Sequence, residues 1–147
     1  MARIALLACA LLLSVPEAIA CSCMPWPPPL EALDEATAVF TGRIVEATPT
    51  DVERGFDYKI EVHQVWKGVS SEHVFVNTDD VAMCGLHLEV GKNYLVYAYG
   101  ELGDLWSHNC SRSREVDFAA EDIAALGDPI SVASVVSTLT VLKTRYE

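Results

Sequence analysis

Two cysteines one residue apart, Cys21-Ser22-Cys23, stand directly behind an export-type leader, and this placement constrains the fold more than any other feature of the chain. Residues 1–20 carry an early positive charge at Arg3 and an unbroken apolar run from Ile4 to Leu13. Pro16 then breaks the helix, and Ala18-Ile19-Ala20 supplies a small-residue cleavage signature. The apolar run is too short to span a bilayer. Cleavage after Ala20 removes Cys9 and leaves Cys21, Cys23, Cys84 and Cys110. An even count in an exported chain predicts two disulfides. Cys21 and Cys23 sit too close on an extended strand to bond without strain. Each is therefore expected to reach a distant partner and close a long loop, which leaves two pairings open.

The remaining 127 residues (21–147) suit one domain with its own core. Arg3 and Glu17 cancel, so the mature chain keeps the formal charge of −11. Such a surface repels nucleic acid phosphates and anionic lipid. Four prolines between Pro25 and Pro29 force an extended path. Leu30 to Ala36 has good helix formers, and β-rich Ala38 to Val45 follows, with Gly42 marking a bulge or bend. Phe56, Tyr58, Ile60, Val62 and Trp66 alternate with polar residues, the period of a strand with one wet face. Val74 to Val76, Tyr94 to Tyr99 and Leu105 to Ser107 are further strands, and Glu115 to Leu126 reads as a helix with an apolar stripe of Phe118, Ile123 and Leu126 stopped by Gly127. Five short strands with flanking short helices predict a mainly β fold, a five-stranded OB-type barrel. The domain is expected to span residues 21–127. Residues 128–147 form a short tail, whose apolar part from Ile130 to Leu142 is read as a further strand or helix against the barrel.

Catalytic signatures are absent from the sequence: no HExxH, no GxSxG, no phosphate-binding glycine loop and no CxxC. His63, His73, His87 and His108 are scattered rather than at ligand spacing, so no metal or other cofactor of the chain's own is expected. Asp79-Asp80 reads as a solvated turn, and Asn109-Cys110-Ser111 fits a glycosylation acceptor pattern whose middle cysteine is needed for a disulfide. Chemistry concentrates at the new N-terminus. An α-amine has a pKa of about 7.7–8.0, so it can lose its proton and ligate a metal near neutral pH. The Cys21 carbonyl oxygen would complete a five-membered chelate. A protease's catalytic zinc keeps one position open for such a ligand.

Cys21-Ser22-Cys23-x-Pro25, the helix-like segment after it, and Val39-Phe40-x-Gly42-Arg43 together carry a resemblance. So does Met83-Cys84-Gly85-x-x-Leu88-x-Val90-Gly91-x-x-Tyr94-Leu95-Val96, running on to Cys110. The whole resembles the N-terminal, netrin-like domain of the tissue inhibitors of metalloproteinases. That resemblance implies a netrin-like OB-fold, Cys21 paired with Cys84 and Cys23 with Cys110, and no enzymatic activity. It implies chelation of a target protease's zinc by the Cys21 amine and carbonyl, with Ser22 entering the specificity pocket. Met24, Pro25, Ala82 and Met83 would extend the contact ridge beside Cys23 and Cys84. The implied partners are secreted zinc metalloproteases and the implied location is extracellular or periplasmic. Two features depart from the family: its next cysteine would fall at Leu33, and no cysteine-rich subdomain follows Gly127. A netrin-like binding module without inhibition is the alternative. A lipid-anchored protein is another, since Ala18-Ile19-Ala20-Cys21 is an imperfect lipobox. Lipidation is the one route to a membrane, but it would consume the Cys21 sulfur and amine and leave three cysteines.

Overall fold

The computed structural model describes residues 21, 23, 25–50 and 55–130. Helix α1 (Pro29–Glu35) opens the fold. Strands β1 (Ala38–Pro49), β2 (Phe56–Lys67) and β3 (His73–Thr78) follow, then a one-turn 3-10 helix, Val81–Met83. Strands β4 (Asn93–Glu101), β5 (Asp104–Trp106) and β6 (Arg114–Glu115) lead to a second 3-10 turn, Val116–Phe118, and helix α2 (Ala120–Leu126). The sheet order is β1-β2-β3-β5-β4-β6, and an added β1–β4 pairing closes the first five strands into a barrel. Among the described strands only β3 and β5 run parallel. This is the five-stranded OB-type barrel expected from the sequence, with two disulfides and two short helices among the described residues.

Closure explains why β1 and β4 read as continuous apolar runs rather than alternating ones. Residues 38–42 and 94–98 are buried on both faces. Phe40, Ile44, Tyr58, Ile60, Val76, Tyr94, Val96 and Leu105 fill the barrel interior. Val39, Leu95 and Tyr97 point outward into a second cluster, where α1 and α2 cover the barrel with Ala32, Leu33, Ile123 and Leu126. A seven-residue helix is marginal alone in water, so α1 depends on this burial. Proline at its N-terminal turn needs no intrahelical hydrogen bond. At its far end Lys67 Nζ donates to the carbonyls of Leu33 and Asp34, both at 2.9 Å. Leu33, where the resemblance places a family cysteine, is thus held by packing.

Three readings need correction. β2 does not keep one alternation: the register shift between Thr41 and Gly42, which leaves His63 without an opposite residue, inverts its phase. Val65 therefore joins the barrel interior while Trp66 faces the outer cluster, its Nε1 donating to the Gly127 carbonyl at 2.9 Å. The bulge coincides with Gly42, as expected, because a side chain there would collide with the Glu61 carbonyl oxygen and with Ile60 Cγ2 at 2.6 Å. The helix read from Glu115 begins only at Ala120; Glu115 pairs with Tyr94 in β6, a strand the sequence reading lacked, and Phe118 is 74% exposed. Ile130 bridges to Val65. The expectation for the rest of the tail, like the leader, lies outside the described residues.

Candidate functional site

Two loops at one end of the barrel carry the distant cysteines. After β3 the chain folds back on itself at Asp80, whose carbonyl accepts the amides of Met83 at 2.8 Å and Gly85 at 2.9 Å. Cys84 sits in the left-handed region with φ 64°. This is an uncommon conformation for a residue with a Cβ. The second loop runs from Ser107 to Ser113 between β5 and β6, and the two are hydrogen-bonded to each other. Gly85 bridges to His108, and the Asn109 amide donates to the Cys84 carbonyl at 2.9 Å. The Cys110 amide donates to His108 Nδ1 at 3.1 Å. That bond needs an unprotonated Nδ1, and burial pushes the His108 pKa down, with Asp79 partly opposing. Tyr99, Trp106 and His108 form a three-ring cluster with every pair of ring centroids 5.3–5.8 Å apart, packing the same end.

Gly85 is where this platform tolerates least. A Cβ there would overlap the Asp79 carbonyl oxygen, a backbone atom that cannot swing aside. Replacing Gly85 with Ala should therefore cost about 1–3 kcal/mol, the range of strained or overpacked sites. Urea unfolding of the purified variant measures this; a cost below 0.5 kcal/mol, within the scatter of neutral surface changes, would contradict the crowding.

The N-terminal segment is tied onto this platform twice. Cys21 is bonded to Cys84 with Cα atoms 5.6 Å apart, and Cys23 to Cys110 with Cα atoms 5.4 Å apart. Those are the pairs the resemblance implies. With Cys21 bonded to Cys84, its sulfur is not available for a thioether-linked lipid. Pro25 is exposed beside Trp26, which is 47% exposed, and across the disulfide Met83 and Val81 are 63% and 56% exposed. The structure thus brings Cys21, Cys23, Pro25, Met83 and Cys84 to one end of the barrel. Ser22 and Met24 lie outside the described residues, as does the side chain of Ala82.

The sequence reading missed the groups that hold the segment from behind. Arg112 donates from Nε to Asp122 Oδ1 at 2.5 Å and from Nη1 to the Pro27 carbonyl at 2.9 Å. The guanidinium carbons of Arg112 and Arg114 lie 5.8 Å and 4.5 Å from the Trp26 ring centroid, within cation–π range. Asp122 is fully buried, and the Tyr97 hydroxyl also donates to its Oδ1 at 3.4 Å. Asp122 raises the Arg112 pKa, so the guanidinium stays charged. Burial, then the Asp122 charge, pushes the Tyr97 pKa up. A signal existed in Arg112 and Arg114, a basic pair in a strongly acidic chain.

Among the described residues no group of three or more His, Cys, Asp or Glu is placed to hold a metal ion. No helix among them is long and apolar enough to cross a membrane. Compared with known proteins, residues 19–116 match the family model for the tissue inhibitor of metalloproteinase. No curated protein matches the chain significantly.

Proposed function

The chain belongs to the tissue inhibitor of metalloproteinase family, and from that premise we propose that it inhibits secreted zinc metalloproteases through its own N-terminus. Family membership supports an inhibitor of metalloproteinases rather than an enzyme. The finer reading assigns the work to Cys21. Removal of residues 1–20 on export frees its α-amine, and the amine and carbonyl of Cys21 chelate the zinc in the target's active site. The inhibitor needs no metal of its own, and residues 21–127 are the working unit. Ser22 enters the pocket beside the metal, while Met24, Pro25, Ala82 and Met83 line the cleft around it.

The observation that carries this reading is the double tether of Cys21 and Cys23 to two mutually hydrogen-bonded loops. A flexible chain end would lose conformational entropy on docking; a tethered one has lost most of it already, and affinity rises accordingly. The tether also explains how a peptide segment could occupy a protease cleft without being turned over. Its carbonyl would be held as a ligand, and cleaved ends would remain bound through the disulfides.

Competition tests the mechanism. The exported protein, with Cys21 verified as its first residue, is titrated against a panel of secreted zinc metalloproteases. Titration is repeated at rising concentrations of acetohydroxamate, a small bidentate zinc ligand. If both occupy the same coordination positions, the apparent inhibition constant rises in proportion to the chelator. Simultaneous binding of the two would place the inhibitor away from the metal. Absence of inhibition across the whole panel would favour the netrin-like binding module.

A further inference from the structure

We propose that Asp122 is a positioning residue for the N-terminal inhibitory segment, acting through Arg112 and Trp26. Asp122 lies in helix α2, beyond the residues 19–116 that match the family. The proposal deepens the inhibitory reading above and rests on it for its effect on inhibition.

The clamp has three parts. Asp122, fully buried, fixes the Arg112 side chain through its Nε. The Arg112 fork has a second donor, Nη1, and this holds the Pro27 carbonyl, a contact between residues 85 positions apart. The guanidiniums of Arg112 and Arg114 then form a charged floor under Trp26. Trp26 and Pro27 lie three and four residues after Cys23. The disulfides locate Cys21 and Cys23 on their loops, but each leaves rotation about its own bonds. A third anchor immediately downstream removes that rotation and sets the angle at which the segment leaves the barrel. Asp122 Oδ2 has no hydrogen-bond partner among the described residues and lies 3.9 Å from Arg114 Nε. The carboxylate thus serves both guanidiniums, one by a direct bond and one by charge. Arg is required here because a single planar group must bond two acceptors and face a ring; Lys offers one point charge.

Asp122→Asn keeps the shape of the side chain and removes its charge. Trp26→Leu attacks the same link from its half-exposed end and decides the matter if Asp122→Asn does not fold. Both are made in the full exported protein, and circular dichroism and disulfide mapping check the fold. Each should weaken inhibition by about tenfold, the cost of losing preorganisation. The double variant should be no weaker than the worse single variant, because both changes break one chain of contacts. A merely structural role for Asp122 would lower the unfolding midpoint and leave the inhibition constant of the folded protein unchanged. Inhibition within twofold of the native protein, or fully additive losses, would overturn the proposal. A second readout does not depend on inhibition. Backbone 15N relaxation of Ser22, Cys23 and Trp26 in the free protein should show lower order in either variant, with β1 and β4 unchanged. Unchanged order would overturn the clamp. Lowered order in a protein that inhibits no protease would uphold the clamp and reject the inhibitory reading.

Discussion

A single alanine added ahead of Cys21 should abolish inhibition while leaving the barrel intact. The added residue converts the Cys21 nitrogen from an amine into an amide. Its lone pair then delocalises into the new carbonyl, and the nitrogen can no longer ligate zinc. The extra residue also places bulk where the metal would have to sit. Nothing in the fold should respond. Cys21 is only partly buried, and the tethers run through its sulfur rather than its nitrogen. Removing the central contact of an interface costs about 4 kcal/mol or more, which corresponds to roughly a thousandfold in the inhibition constant. The measurement compares native and extended proteins against the same proteases, with circular dichroism and thermal unfolding as controls. Acetylating the Cys21 amine should reproduce the loss. A bulky or charged residue at position 22 should behave differently, re-ranking the proteases without a general loss. Equal inhibition by the native and extended proteins would eliminate chelation by the amine.

Changing Cys84 to Ser should cost the fold a large part of its stability. Its disulfide joins positions 63 residues apart, and the Cys23–Cys110 bond closes 87. In the chain-entropy picture a cross-link over such a loop is worth about 4 kcal/mol, through restriction of the unfolded chain. Because the two loops overlap, the second bond recovers part of this, and a loss of about 3 kcal/mol is expected. For a domain of this size that lowers the unfolding midpoint by about 10 °C. The same change frees Cys21 from the platform and leaves it an unpaired thiol. Inhibition should fall more than stability alone predicts, since the folded fraction would present a loose chain end. Chemical denaturation gives the first effect, and inhibition measured well below the midpoint gives the second. A midpoint shift of under 3 °C would mean that the barrel core, rather than the tether, carries the stability of this end.

The barrel strands were legible because β-branched, aromatic and other apolar residues cluster in them, as continuous runs in β1 and β4 and by alternation in β2. β1, β3 and β4 stand where their apolar residues placed them, and Gly42 marked its own bulge. Phe118 and Trp66 were misread for one shared reason: periodicity reports which residues are apolar, not which face of a bulged or broken element they reach. The phase of β2 inverts at a register shift, which is a property of its pairing with β1. The helix read from Glu115 loses its first turns to β6 and a 3-10 turn because the β4 edge offers Glu115 a partner. β6 itself is two residues long, below the length at which any alternation can be seen.

By itself the sequence determined four cysteines beyond residue 20, two of them too close to bond each other without strain, and a β-rich chain with a family's cysteine and glycine spacing. These are local or countable properties, and residue chemistry suffices to read them. Only the tertiary structure decided that the two cysteine loops bond to each other, and that Arg112 joins Pro27 to a buried Asp122. Those contacts span up to 85 positions and follow no period. They arise because closing β4 onto β1 brings the loop after β5, the helix after β6 and the N-terminal segment to one end of the barrel.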